Sequence, residues 1–548
     1  MNKRPSVTAA CAAGAWMSLL IVAAGCRTHT EDRGLREIGF SSEKVHEITP
    51  LQLKKAEPNE APPVAAVPPP EKIQLSLPQC RAMALSNNLQ VKTALISPAI
   101  AAAQLSAEEA KFEAAFFTNV TYNKMNSPSV SFLNEITGSK VDALGGDLGV
   151  RMPLRTGGTL TFDLADSQTT TNAQFTNINP YYASDASFSI SQPLLRNGGT
   201  WANTHSIRIV AYQSRIVDAR TRLEVIAVLA ALDRVYWRLY AARRELEVRL
   251  QQHELALAQL ESAGRLVDAG QRAPVEIVRA AAGVAQQLEG IIVAENNLRD
   301  RERELKRVIH AAGLDMETPI ALVPTTEPDP VRYELERPQL IQTAIGSRME
   351  MLELQLQLLQ DASTVDFARN QTLPLASLNY TYNISGLGGA NNDALDMLYD
   401  GEFADHRLGV QVVIPIGNGA ATSQLRQAMY QRRQRLTTRA NREEVIRQEV
   451  LNAADQIETN WQRILAARQT VILNGRLYDA EKRQFEQGQR TSTDVLSAQI
   501  NFADAQSSEI RALAEYQIAL VDLAYATGTL LGADKVRWEP IVPETDVE

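Results

Sequence analysis

The chain has 548 residues, of which 45% are hydrophobic, 22% are charged and only 6% are aromatic. An apolar fraction of this size argues against global disorder, and the scarcity of aromatic residues favours a mainly helical protein over a large all-β one. The 55 Lys and Arg residues are outnumbered by 64 Asp and Glu, which gives a net charge of −9 and argues against a nucleic-acid partner.

The first 25 residues predict a bacterial secretion signal. A basic start is followed by the charge-free run Ala12–Gly25, whose 14 residues are too few to span a bilayer but suit the apolar core of a signal peptide. The run ends at Cys26 in a motif that resembles a bacterial lipobox, in which the signal is removed and the cysteine carries lipid. Ala23 stands where the lipobox usually has leucine, so an ordinary signal with an incidental Cys26 stays open. The resemblance, with Arg27 after the cysteine, implies sorting to the outer membrane.

Residues 26–70 predict an extended tether, because they are polar at first and then rich in Pro and Ala. Beyond them the sequence repeats one plan: a helix, strands, a very long helix, a turn and a second long helix. This indicates duplication of one structural unit. We therefore expect a first repeat over 71–315, a connecting linker over 316–335, a second repeat over 336–532 and a C-terminal tail over 533–548.

Segments that alternate like strands occur at matching places in both halves. Phe188–Leu194 and Leu408–Ile416 each contain a proline near their end, with glycine soon after. Gly145–Leu154 and Gly158–Ala165 predict an additional hairpin in the first half. Strands of about ten residues with aromatic ends suit a transmembrane barrel, although a soluble β-subdomain has the same pattern. Outside the signal the sequence has no run of 18 uncharged apolar residues, so a membrane crossing requires a closed β-barrel.

Two proline-free stretches predict helices far longer than those of globular proteins. The glycines that bound Gly199–Gly270 lie 71 residues apart and those that bound Gly419–Gly488 lie 69 apart, or roughly 100 Å of helix. Apolar residues recur at spacings of four and three along both stretches and along the helices that follow them, which indicates left-handed coiled-coil packing. Such hairpins leave their other faces uncovered and therefore imply a large helical assembly or further chains.

Together these features resemble the outer-membrane efflux protein family, the TolC-like channel-tunnels. The resemblance covers about residues 75–532 and depends on Leu75-Ser76-Leu77, on the strand exit Ser191–Leu195, on both glycine–arginine turns and on the duplication. It implies a mainly α fold with a transmembrane β-barrel portion. In this trimeric α/β channel-tunnel each protomer gives strands to one shared barrel and coiled-coil helical hairpins to a periplasmic tunnel. The family has four strands per protomer, so the hairpin at 145–165 either adds strands or decorates the rim.

The resemblance also assigns roles to the two turns between the long helices, which form the periplasmic mouth in family members. The turn residues that would dock a periplasmic adaptor protein are Gly270, Gln271, Gly488 and Gln489. The residues that would form the aperture are Arg490 and Asp494 and, at a constant offset of 218 residues, Arg272 and Glu276. A symmetric ring of carboxylates favours cations. Thr491–Asp494 also has the pattern of a helix capping box, and this alternative stays open for Asp494.

The predicted function is a passive, lipid-anchored duct in the outer membrane, with its helices in the periplasm. It would export small molecules in a tripartite efflux complex with an adaptor and an inner-membrane pump of the RND or ABC type. A duct for type I protein secretion and a periplasmic coiled-coil adaptor or structural lipoprotein without a pore stay open. An enzyme, a metal and a cofactor are not expected, because the three Cys and six His form no recognisable site and no phosphate loop occurs. The sequence does not distinguish drug, metal or protein as cargo.

Overall fold

A computed structural model describes residues 71–128 and 138–537. The predicted signal peptide, Cys26 and the predicted tether lie outside these residues, as does most of the predicted C-terminal tail. The described part of the chain combines long helices with one large and one small sheet.

The two halves contain similar series of elements. Up to the end of the first long hairpin these are β1 (Lys72–Leu75), α1 (Leu77–Asn87), α2 (Leu89–Glu109), a 3-10 helix (Ala110–Phe112), β2 (Ala115–Asn126), β3 (Lys140–Pro153), β4 (Thr159–Thr171), β5 (Tyr181–Pro193), α3 (Thr200–Asn203), α4 (His205–Asp268) and α5 (Val275–Ile309). The elements that follow are β6 (Ala321–Pro324), α6 (Arg337–Ser347), α7 (Met349–Gln371), β7 (Leu375–Gly388), α8 (Asn391–Asp400), β8 (Ala404–Val413), α9 (Gly419–Glu486), α10 (Ser492–Ala526) and α11 (Leu530–Ala533).

Six strands from both halves form one antiparallel sheet in the order β2-β3-β4-β5-β7-β8. The first half contributes four strands and the second half two, and β5 pairs with β7 from Tyr182 opposite Gly388 to Pro193 opposite Ser377. Among the described residues, β2 and β8 have a neighbouring strand on one side only. β1 and β6 form a separate parallel pair that the sequence did not predict.

The predicted hairpin at 145–165 is part of the large sheet. Its arms are β3 and β4, which are longer than predicted and pair from Pro153 opposite Thr159 to Val141 opposite Thr171. In the described residues the sheet therefore has six strands, two more than the four per protomer of the family that the sequence resembles. The strands are longer than predicted because each has a hydrogen-bonded neighbour on both sides, β2 beside β3 and β5 beside β4.

The long helices pair as two hairpins, α4 with α5 and α9 with α10. The seam predicted from the spacing of four and three is buried at Val225, Leu229, Leu232, Tyr236 and Leu239 in α4 and at Ile446, Val450, Ile457 and Ile464 in α9. The polar seam positions Arg243 and Glu302 face each other across the first hairpin at 3.5 Å. The heptad spacing thus identifies the packed face of each helix.

α5 keeps an apolar face that the described part of the chain does not cover. By length and composition α5 could cross a membrane, since an 18-residue window in it has a mean hydropathy of 1.3 and is 28% buried. Val278, Ile292 and Val293 are each at least 60% exposed. The same helix buries Glu276 and Gln287 against the rest of the chain. It is therefore an arm of a helical hairpin with an unpartnered outer side.

A short helix lies at the end of the sheet farthest from the long helices. α8, which the sequence did not predict, connects β7 to β8 and packs on β7 and β5. Ala394 at its centre is fully buried. The close approach requires glycine in β7, because a Cβ at Gly386 would lie 2.0 Å from the Ala394 carbonyl oxygen.

Candidate functional site

One face of the large sheet is apolar and exposed. The strand register places one row of side chains across all six strands: Phe116, Val150, Phe162, Phe188, Tyr382 and His406. The rows on either side add Leu148 and Leu164 on one flank and Leu160 and Leu408 on the other. Phe162 is 51% exposed and Leu408 is 73% exposed. A contiguous apolar surface of this kind indicates contact with lipid or with a partner.

The opposite face of the same strands is polar. Asp147 and Asp163 of the β3–β4 hairpin lie on it, as does Asp185 of β5. The Asp185 carboxylate accepts hydrogen bonds from Ser385 Oγ at 2.5 Å and from Asn383 Nδ2 at 3.4 Å. Strands of 10 to 14 residues with one apolar and one polar face have the dimensions and pattern of strands that separate lipid from water.

The turns that end α4 and α9 have the same backbone hydrogen bonds. In each turn the glycine N–H and the following glutamine N–H donate to carbonyls three and five residues back, all at 2.9 Å. Gly270 and Gly488 have φ values of 69° and 85°, in the left-handed region that glycine adopts without strain. Both glycines, with Gln271 and Gln489, are exposed. The two turns therefore present the predicted docking residues on the surface of this chain.

Arg272 joins the first turn to the second. Its Nη2 donates to the carbonyl oxygens of Phe485 and Arg490, both at 2.8 Å, and its guanidinium lies 4.9 Å from the centre of the Phe485 ring. All of these partners belong to the second turn, so Arg272 holds the two turns side by side. Its counterpart Arg490 contacts its own hairpin, with Nε 3.0 Å from Gln484 Oε1 and 3.2 Å from the Glu481 carboxylate.

Glu276 is buried between the two turns, with only 5% of the residue exposed. Its Oε2 accepts the Ser492 backbone N–H at 2.8 Å, and its Oε1 lies 2.6 Å from Arg279 Nη1. Ser492 begins α10, so Glu276 caps a helix of the other hairpin whose first N–H groups have no partner within that helix. Burial alone raises the pKa of Glu276, but the hydrogen bond from Ser492 and the charge of Arg279 outweigh it and hold the pKa below its ordinary value.

Asp494 belongs to a capping box at the start of α10. Its Oδ2 accepts the Thr491 N–H at 2.9 Å and the Thr491 hydroxyl at 2.8 Å, while the Asp494 N–H points to Thr491 Oγ1 at 3.4 Å. The hydrogen bonds from the Thr491 backbone and hydroxyl lower the pKa of Asp494. The capping alternative that the sequence left open is therefore formed, on a side chain that is half-buried.

The predicted aperture residues thus divide into two pairs. The side chains of Arg272 and Glu276 contact the other hairpin, whereas the side chains of Arg490 and Asp494 contact their own. Sequence reasoning missed Ser492, in the second turn, as the partner of Glu276. A signal was present, because Pro274 precedes α5 and its side chain makes no capping bond, so Glu276 has no capping partner at its own helix start such as Thr491. Within the described ranges, no group of three or more His, Cys, Asp or Glu side chains is placed to hold a metal ion.

Comparisons with known proteins agree with this architecture. A family model described as outer membrane efflux protein matches residues 340–529. The outer membrane protein TolC of Salmonella enteritidis is 24% identical over 293 residues, which cover 51% of this chain and 56% of that protein. TolC of Vibrio cholerae is 24% identical over 353 residues, covering 64% of this chain and 77% of that protein. The chain therefore aligns with little more than half the length of the first of these relatives.

Among solved structures, the CmeC outer membrane channel of Campylobacter jejuni has a TM-score of 0.61 with this chain at 16% identity, over 83% of this chain and 86% of that one. The TM-score over most of both chains shows a shared fold, and at this identity it shows the fold alone. The predicted outer-membrane location is confirmed, since the family match, both sequence relatives and this channel are outer membrane proteins. The relatives are channels and not enzymes. The chain is thus similar to the TolC-like outer membrane efflux proteins, and residues 340–529 match the model of that family.

Proposed function

We propose that three copies of this chain form a channel-tunnel that exports small molecules to the outside of the cell, as the outer component of a tripartite efflux complex. The observation that carries this proposal is the two-faced sheet, apolar and exposed on one side and polar on the other. In lipid such a sheet is stable only when its edges are paired. β2 and β8 run in opposite directions, so β8 of one copy can pair antiparallel with β2 of the next and close a barrel.

The helical part supports the same assembly. The exposed face of α5, with Val278, Ile292 and Val293, would be covered by a neighbouring copy. Efflux proteins of this family are trimers that act with an adaptor and an inner-membrane pump. Three-fold symmetry would close the helical hairpins and the strands around one axis.

We assign the turn residues Gly270, Gln271, Gly488 and Gln489 to docking of the periplasmic adaptor protein. The support for this assignment is their exposure and their position at the far ends of helices α4 and α9. A pump of the RND or ABC type would then deliver its cargo to the mouth that these turns surround.

We assign the periplasmic aperture to Asp494 and Arg490, with Glu276 and Arg272 in support. Three symmetry-related copies of Asp494 would form a ring of carboxylates that favours cations and opposes anions. Glu276 and Arg272 would act as positioning residues, because their contacts hold the first turn against the second. Opening the aperture would then require either movement of both turns together or loss of those contacts.

We also propose that Cys26 is lipidated after removal of residues 1–25. The support is the small-residue motif that precedes it in the sequence. Mass spectrometry of the mature protein should find acyl chains on an N-terminal Cys26. A mature protein that begins at another residue, or that carries an unmodified Cys26, would contradict the anchor.

Reconstitution in planar bilayers tests the channel. The purified protein should migrate as a trimer that dissociates on heating, and it should conduct ions in discrete steps. The Val120→Pro and Thr121→Pro variants test the open edge of β2, to which one of these two neighbouring N–H groups points. The variant that removes this N–H should weaken trimer formation and conductance, because the neighbouring strand loses a hydrogen-bond donor. Val120→Thr is the matched control and should behave as the parent. A trimer without conductance, or a monomer soluble without detergent, would contradict the channel.

A further inference from the structure

The β3–β4 hairpin is built into the sheet. β3 pairs with β2 from Ala115 opposite Arg151 to Asn126 opposite Lys140, and β4 pairs with β5 over a similar length. β2 and β5 would be neighbours without the hairpin, but two strands separate them, a distance of about 14 Å. The hairpin therefore widens the sheet and does not lie over it.

The turn between β3 and β4 is fixed to the end of β5. Thr156 Oγ1 donates to Gln192 Oε1 at 2.8 Å, and Gln192 Nε2 donates to the Thr156 carbonyl at 3.0 Å. The Gly199 N–H donates to the same carbonyl at 3.0 Å. Gln192 lies in the strand exit on which the family resemblance depends, so the hairpin is attached to a part of the fold that the family shares.

The pairing of β2 with β3 is supported at a glycine of β3. Gly149 lies opposite Phe117, and a Cβ at Gly149 would lie 2.6 Å from Cζ of that ring. The Arg151 guanidinium lies 5.4 Å from the centre of the same ring. An aromatic ring over a glycine of the next strand compensates for the packing that the glycine lacks. The inserted strand is thereby packed against the strand before it.

The hairpin follows the alternation of the strands around it. Leu148, Val150 and Phe162 lie on the apolar face, and each is more than 40% exposed. Asp147 and Asp163 lie on the polar face. A hairpin that decorated an aqueous rim would not need one face of exposed aliphatic and aromatic side chains. The alternation is the one expected when both arms cross lipid.

We propose that the barrel closed by three copies has 18 strands, and that the polar face of the β3–β4 hairpin lines its lumen. The proposal rests on the trimer proposed above, with six strands from each of three copies. Barrel diameter grows roughly linearly with strand number, so 18 strands give about one and a half times the diameter of 12, in the range that leaves an aqueous channel. Asp147 and Asp163, which lie on the polar face of the hairpin, then line the lumen.

Single-particle cryo-microscopy of the trimer in lipid nanodiscs counts the strands directly. We expect 18 strands around the axis, with β3 and β4 of each copy between β2 and β5. A conducting trimer with a 12-stranded barrel and the hairpin outside it would overturn this inference and leave the channel proposal intact. Absence of a trimer or of conductance would overturn the channel proposal itself.

Cysteine labelling in proteoliposomes gives an independent test with matched neighbours. Asp147→Cys and Asp163→Cys should react with a membrane-impermeant maleimide. Leu148→Cys and Phe162→Cys should not react, because lipid covers these positions. The native Cys80 contributes no background, since it is buried and burial, with the nearby Asp233 charge, raises its pKa to about 12. Equal labelling of all four variants in a conducting trimer would place the hairpin in water and overturn the inference.

Discussion

The two turns at the ends of the long helices descend from one repeated plan, yet their carboxylates act differently. Asp494 bonds to Thr491 in its own helix start, whereas Glu276 reaches Ser492 in the other hairpin. The difference originates at the residue that precedes each helix. α10 begins after Thr491, which can share a capping box, but α5 begins after Pro274, whose side chain has no hydrogen-bonding group. A carboxylate without a capping partner at its own helix start is available for a contact between repeats.

The largest effect on this asymmetry is expected from Glu276→Ala. It leaves the buried Ser492 N–H without an acceptor, which costs about 2 kcal/mol and speeds local hydrogen exchange about 30-fold. Hydrogen–deuterium exchange of the peptides that cover both turns measures this change. Glu276→Gln keeps an acceptor oxygen and should show a smaller effect. Unchanged hydrogen exchange at the start of α10 in Glu276→Ala would contradict the capping of that helix by Glu276.

Arg272→Lys should have the next largest effect. Lysine keeps the charge but not the planar guanidinium that reaches two carbonyls and stacks on Phe485. We therefore expect the free energy of local unfolding of the two turns to fall by about 1–2 kcal/mol. The matched control is Arg490→Lys, whose exposed contacts within one hairpin should change stability by less than about 0.5 kcal/mol. Exchange rates of the second turn distinguish the two. Equal effects would show that the two arginines are equivalent.

Asp494→Ala should destabilise the start of α10 by about 1 kcal/mol, the usual worth of a lost cap. Its effect should stay within the second hairpin, in contrast to that of Glu276→Ala. Single-channel recording at low salt adds a second readout, because loss of the carboxylate ring should reduce cation selectivity. Thr491→Ala is the control, since it disturbs the capping box and keeps the acid. If both variants change selectivity equally, the cap and not the ring is responsible.

Mild acid should produce the smallest effect. The folded-state pKa values of Glu276 and Asp494 lie below their ordinary values of 4.5 and 3.8, so their stabilisation is complete well above those values and is lost as pH falls through the lowered pKa. Between pH 7 and 5 the exchange of both turns should therefore stay constant apart from its intrinsic pH dependence, with loosening only below about pH 4. Glu276→Gln should abolish the acid response of the first turn. Loosening already at pH 6 would contradict the lowered pKa values.

The parts of the fold with a strong repeating pattern were predictable from the sequence. The spacing of Leu229, Leu232 and Leu239 fixes the buried side of α4, and the glycine at 488 marks a helix end, because both signals are local. The β3–β4 hairpin was also visible, although its place within the sheet was not. The cross-tip bond of Glu276 could not be predicted, since it depends on where a second hairpin lies. α8 was missed because its packing requires Gly386 of another element, which no local pattern indicates.

The extra strands come as a pair, and this has a consequence for the evolution of such ducts. The chain leaves β2 in one direction and enters β5 in the opposite one, as it would if the pair were missing, and inner and outer side chains keep their sides. Neither the long helices nor the turns between them need to change when a pair of strands is gained or lost. The diameter of the barrel and the length of the helical hairpins are thus independent traits, and selection or protein engineering can change one without the other.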